Sequence, residues 1–161
     1  MNIKKMIYGS IVAAVYVALC FVLSPISFGP IQCRLAELLC YLAIDYLWAY
    51  AGVSIGCLIS NTFLGGLGIL DMIFGTLATI IACGLAYLFR NIRYKGYPLL
   101  SISMIVLING IIVGIELGIV FETKNLIPLY ILEVAIGELI VMLIGLPIYK
   151  KVISIIDKSL S

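Results

Sequence analysis

Six long apolar stretches, separated by short polar breaks, organise the chain. They fall at about residues 6–23, 34–50, 51–67, 71–89, 98–121 and 128–149. None alternates with the two-residue period of a half-buried strand, and each approaches the ~20 residues that a helix needs to cross ~30 Å of hydrocarbon. The pattern predicts an all-α chain of six transmembrane helices forming one domain over residues 1–161. The boundary between the second and third helices is the weakest. The stretch "DYLWAYAG" offers only Asp45, Gly52 and interfacial aromatics there, so the break is set at Tyr50/Ala51.

Composition removes the soluble alternatives. The 161 residues are 64% hydrophobic and 11% charged, and mean hydropathy is +1.25. A soluble domain carries about 25% charged residues, so most of this surface must face lipid. A net charge of +2 is too small to suggest nucleic acid as a partner. Met1–Lys5 followed by an apolar run resembles a signal peptide, but the run is long and lacks a small-residue cleavage site. It is expected to stay as the first helix. Five cysteines, no CxxC pair and no histidine predict neither a metal site nor a disulfide framework. The cysteines are expected to be small packing residues, and no cofactor is expected.

Charge sets the orientation. With six crossings and a cytoplasmic N-terminus, Lys4, Lys5, Arg90, Arg93, Lys95, Lys150, Lys151 and Lys158 lie inside, leaving only Arg34 and Lys124 outside. That agrees with the positive-inside rule, whereas five crossings would strand one basic cluster outside. Both termini are therefore expected in the cytoplasm of a multi-pass, bacterial-type cell-membrane protein in contact with membrane lipid. "SPISFGP" (24–30), "GGLG" (65–68) and "ETKNLIP" (122–128) become outer loops.

Ionisable groups inside a membrane are costly, so each needs a reason. In this orientation Arg34, Glu37, Asn61, Asp71, Glu116 and Glu133 fall in the outer half, with Asn109 and Glu138 deeper. Arg34 and Glu37 share a helix face, as do Asn109 and Glu116, two turns apart. Such a set suits a pocket open to the outside, without the paired inner and outer gates of a self-contained carrier. Each residue also has a plainer reading. Arg34 and Glu37 suit an interfacial ion pair, Asp71 suits a helix cap, and Asp45 and most of the ten tyrosines suit the interface. On the first helix Ser10, Ala14 and Ala18 form a small-xxx-small stripe, fit either for packing within the fold or for a partner helix.

Four segments carry a resemblance across nearly the whole chain: "PISFGPIQCRLAE" (25–37), "DMIFGTLAT" (71–79), "NGIIVGIEL" (109–117) and "IGELIVMLIGLP" (136–147). In this order and spacing the chain resembles the substrate-binding (S) components of energy-coupling factor (ECF) transporters, and more narrowly the QueT family, associated with uptake of queuosine precursors. The resemblance implies a six-helix bundle that binds a vitamin-like molecule near its outer face and carries no ATPase of its own. Power would come from an energising module of one membrane scaffold subunit and two ABC ATPases. An alanine-xxx-alanine pattern on the first helix docks the scaffold in relatives, and Ala14 and Ala18 match it.

A queuosine precursor is a 7-deazaguanine such as queuine or preQ1. Its guanine-like edge offers adjacent N–H donors and a carbonyl acceptor. Glu116 or Glu138 could take the donors, and Gln32, Arg34 or Asn109 could serve the carbonyl. A cationic aminomethyl group would favour a further acid such as Glu37 or Asp71. Asn61 completes the candidate set. Three alternatives stay open: an S component for a different vitamin-like molecule, a structural membrane protein, and an intramembrane enzyme. The last lacks a histidine, a mid-membrane Ser–Lys pair and a metal cluster, so no catalytic residue is assigned.

Overall fold

A computed structural model describes residues 3–24 and 34–160. Helix α1 is Ile3–Val22. A 3₁₀ stretch, Leu35–Leu39, leads into the short α2, Cys40–Asp45. Then come α3, Leu47–Leu64, a π turn at Asp71–Gly75 that continues as α4, Thr76–Leu88, and α5, Leu99–Val120. A 3₁₀ turn at Lys124–Leu126 precedes α6, Ile127–Leu160. Among the described residues the only extended pairing is the isolated bridge between Tyr94 and Tyr97.

Five of these segments are long and apolar enough to cross a membrane: Ile3–Val22, Leu47–Leu64, Asp71–Leu88, Leu99–Val120 and Lys124–Ser159. Their lipid-facing sides carry exposed Ile, Leu and Phe, while the core holds Tyr16, Ile44, Val53, Ile105 and Met142. The described part of the second expected helix is shorter than its reading at 34–50, and its boundary moves. The chain turns at Tyr46, which is extended (φ −125°, ψ 119°), not at Tyr50. The reason is Asp45. Its carboxylate takes a 2.6 Å bond from the Tyr149 hydroxyl and pairs with Arg93, which fixes the polar end of α2 before the aromatic run begins. Tyr46 then stacks on Trp48 at 5.1 Å, so these aromatics belong to the turn and to the start of α3.

The last helix also departs from its expected end at Tyr149. It runs on to Leu160 with Pro147 inside. Pro costs one backbone bond, which a membrane helix packed against its neighbours tolerates. At 1.5 Å per residue its 34 residues reach about 51 Å, well beyond the hydrocarbon thickness. The overhang carries Lys150, Lys151, Asp157 and Lys158. Its end meets the start of α1 through a 2.6 Å Tyr8–Ser159 contact.

Two close helix pairs frame the bundle: α1 against α3, and α5 against α6. Both use small residues where backbones nearly touch. At Gly52 of α3, a Cβ would collide with the Gly9 carbonyl of α1. At Gly114 of α5, it would lie 2.6 Å from Ile131 backbone atoms of α6. The GxxxG spacing of Gly52 and Gly56, and of Gly110, Gly114 and Gly118, is therefore what holds these pairs close. Gly114→Ala should force α6 outward and cost about 1–3 kcal/mol, read as a lowered unfolding midpoint in detergent. An unchanged midpoint would mean that the pair is not closely packed.

Candidate functional site

The 3₁₀ stretch delivers Glu37 into the interior, where it is 1% exposed. Its oxygens are well supplied. The Tyr16 hydroxyl from α1 donates to Oε1 at 2.5 Å, the Cys40 thiol donates to Oε2 at 2.7 Å, and the Thr79 hydroxyl of α4 lies 3.4 Å from Oε1. The network continues outward. Thr79 meets the Cys57 thiol at 3.2 Å, and Asn61 Nδ2 donates to Cys57 Sγ at 3.3 Å and Thr76 Oγ1 at 3.5 Å. Cys40 also touches Cys83 at 3.4 Å. The four described cysteines are buried free thiols, and three of them, Cys40, Cys57 and Cys83, work as hydrogen-bonding groups rather than inert packing.

The π turn explains how Asp71 enters. One extra residue in the turn rotates the start of α4, and Asp71 ends up 2% exposed. It does not stand at the N-cap; that position is Leu70, which makes no side-chain cap. Asp71 Oδ2 instead reaches back to the Leu67 N–H at 2.9 Å, like the returning arm of a capping box. At the other end of the turn Gly75 packs between Asn61 Nδ2 and Arg34 Nη1.

Arg34, 4% exposed, is the cation within electrostatic reach of Glu37, Glu116 and Glu138. The Glu116 and Asp71 carboxyl groups lie side by side, within hydrogen-bond reach of one another. The acids differ sharply in what they receive. Apart from that mutual contact, no hydrogen-bond donor among the described residues reaches either oxygen of Glu116, Oδ1 of Asp71, Oε2 of Glu138 or Oδ1 of Asn61. Each such buried acceptor costs about 1–3 kcal/mol. The arrangement is an acceptor-rich interior beside one guanidinium. It lies in the half of the bundle remote from Asp45 and Arg93, since Asn61 is late in α3, Asp71 opens its helix and Glu116 is late in α5.

The candidate residues thus separate into groups. Arg34, Glu37, Asn61, Asp71, Glu116 and Glu138 converge. Asn109 is buried on α5, but its Nδ2 bonds the Ile105 carbonyl of its own helix at 3.1 Å. Gln32 and the "SPISFGP" loop lie outside the described residues, save Ser24. Ser10, Ala14 and Ala18 sit elsewhere, exposed on α1. They line an open, apolar groove of about 860 Å³ with Gly9, Trp48 and Ile55. Tyr16 and Thr79 are not among the residues expected from the sequence, and Cys57, expected as packing, joins the network. The spacing of Glu37 and Cys40, three apart, was a readable signal. Tyr16 lies in an apolar run among many tyrosines and gave none.

A multi-pass helical bundle with a buried polar cluster is an arrangement that suits a membrane transport protein. The QueT transporter family profile matches residues 6–153, and the chain belongs to that family. It is 33% identical over 160 residues to the queuosine precursor transporter QueT of Lactococcus lactis subsp. cremoris (strain MG1363), covering 93% of this chain and 92% of that protein. No solved structure matches it. It is a multi-pass bacterial cell-membrane protein.

The two kinds of acid should respond oppositely in the ligand-free protein. Tyr16→Phe removes a donor from a supplied carboxylate and should destabilise by about 1.5–3 kcal/mol. Glu116→Gln removes an unsupplied one and should be neutral or stabilising, as is common where function outranks stability. Thermal unfolding checks both. Equal losses would mean that Glu116 has a structural donor.

Proposed function

We propose that the chain is the substrate-binding S component of an ECF-type importer, capturing a queuosine precursor such as queuine or preQ1 from outside for ATP-driven uptake. The reading rests on family membership and on one observation: five buried acceptor oxygens on Asn61, Asp71, Glu116 and Glu138 lack donors from the described residues. A 7-deazaguanine is rich in what they lack. Its ring N–H and exocyclic NH₂ suit Glu116 bidentately, and the Arg34 guanidinium suits its carbonyl. A cationic aminomethyl group would find Asp71 or Glu138 close by, which favours an amine-bearing precursor. Glu37, already bonded by Tyr16 and Cys40, holds the wall rather than the ligand.

In this reading there are six crossings. The stretch Leu35–Asp45 is the described part of the second crossing and covers only part of the membrane thickness. The end carrying Arg90, Arg93, Lys95 and Lys150 is cytoplasmic, as are both termini, in keeping with the positive-inside rule. The groove beside Ser10, Ala14 and Ala18 receives the membrane scaffold subunit of the energising module, whose two ABC ATPases drive release.

Equilibrium binding to the purified protein tests the ligand. PreQ1 and queuine should bind, and an unrelated vitamin panel should not. Glu116→Gln should weaken binding about 10–100-fold, the loss of one charge-assisted contact, with little change in stability. Tight binding of another vitamin without affinity for deazaguanines would overturn the substrate and leave the S-component reading intact. Ala14→Leu should abolish uptake with the co-expressed module while ligand binding persists. Uptake by this chain without any ATPase module would overturn the energy-coupled mechanism.

A further inference from the structure

At the end of the bundle remote from the acidic chamber, a cleft of about 360 Å³ opens between the α4–α5 turn and the overhang of α6. Three cationic residues line it, Arg93, Lys150 and Lys158, against one acid, Asp157. The Tyr46 hydroxyl donates to Asp157 Oδ1 at 2.6 Å, which turns that oxygen towards α3. Lys150, Ser154 and Lys158 recur at four-residue spacing, so they share one face of α6.

The Lys150 ammonium is held in place rather than left to extend freely into water. Its Nζ donates to the Lys95 carbonyl at 2.9 Å and sits 4.1 Å from the Tyr97 ring centroid. The turn itself is shaped for this. Tyr94 and Tyr97 exchange 2.9 Å backbone bonds, and Lys95 and Gly96 between them have φ of 50° and 82°, the two-residue hairpin with both central residues left-handed. A Cβ at Gly96 would come within 3.0 Å of the ammonium. Arg93 is fixed as well, by Asp45, Tyr149 and the Arg90 carbonyl.

A fixed ammonium costs side-chain entropy that a freely snorkelling lysine keeps. The fixed Lys150 ammonium beside the Ser154 hydroxyl, with Lys158 two turns along the same face, suits the oxygens of a phosphate. The same segments point to its source: Leu88 and Ile92 before the turn, and Ile148 and Ile155 on α6, are exposed apolar side chains of a bundle whose outer faces meet acyl chains. We infer that this cleft binds the phosphate headgroup of an anionic phospholipid. The site is independent of the ligand chamber and of the reading above. Bound there, the lipid would tie the α4–α5 turn to the overhang of α6.

Native mass spectrometry of the purified full chain, titrated with phosphatidylglycerol or phosphatidylcholine, tests the site. The wild type should retain phosphatidylglycerol over phosphatidylcholine. Lys150→Gln, and separately Lys158→Gln, should lower that retention at least fivefold. Lys151→Gln, exposed and outside the cleft, should leave it unchanged. Equal loss from Lys151→Gln would reduce the effect to general surface charge and overturn the site. Displacement of the lipid by low-millimolar inorganic phosphate would also overturn the lipid assignment, in favour of a soluble phosphate.

Discussion

The carboxylate of Glu37 is the point on which the interior depends. In a bundle surrounded by lipid, a buried acid persists only if donors reach it from the protein itself. Here they come from α1 through Tyr16, from α2 through Cys40 and from α4 through Thr79. One side chain therefore joins three segments, and only one of the three donors lies close to it in sequence. With Glu37 anchored, Arg34 is carried inward three residues earlier. It brings its positive charge to the place where Asp71, Glu116 and Glu138 gather.

The arrangement separates acids that receive donors from acids that do not. Thr79, Cys57 and Asn61 extend the anchored network along α3 and α4, while the oxygens of Glu116 and the outer oxygen of Asp71 stay without donors from the described residues. An interior selected for stability alone would fill those positions with apolar residues. The groove along α1 is a third kind of surface. It is apolar and open, and it lies on the side of α1 opposite the buried Tyr16. One helix thus presents small residues outward and a hydroxyl inward.

Much of this was legible in the sequence, for identifiable reasons. Length and apolarity exposed the spanning stretches, since nothing but a bilayer tolerates them. The cost of burying charge made Arg34, Glu37, Asp71, Glu116 and Glu138 conspicuous, and the bundle brings them together from four separate segments. The break at Tyr46 was hidden because interfacial aromatics run on both sides of it and the deciding partner, Arg93, is 48 residues away. The continuation of α6 was hidden because Lys150 and Lys151 read as a membrane boundary, although a boundary of the bilayer need not end a helix. Asn109 had the right chemistry and spacing, yet its amide bonds the helix that carries it. The sorting of supplied from unsupplied acids depends on tertiary neighbours that periodicity does not encode.

The length of α6 has a mechanical consequence. Glu138 of the chamber and Ser159 beside α1 belong to one continuous rod, with Pro147 between them. The segment beyond Pro147 is about 18 Å long at 1.5 Å per residue. A hinge of about 5° at the proline would swing its tip by about 1.5 Å, enough to break the Tyr8–Ser159 contact. Any bend at Pro147 would therefore be felt at the Tyr8–Ser159 contact, on the far side of the bundle from the polar interior.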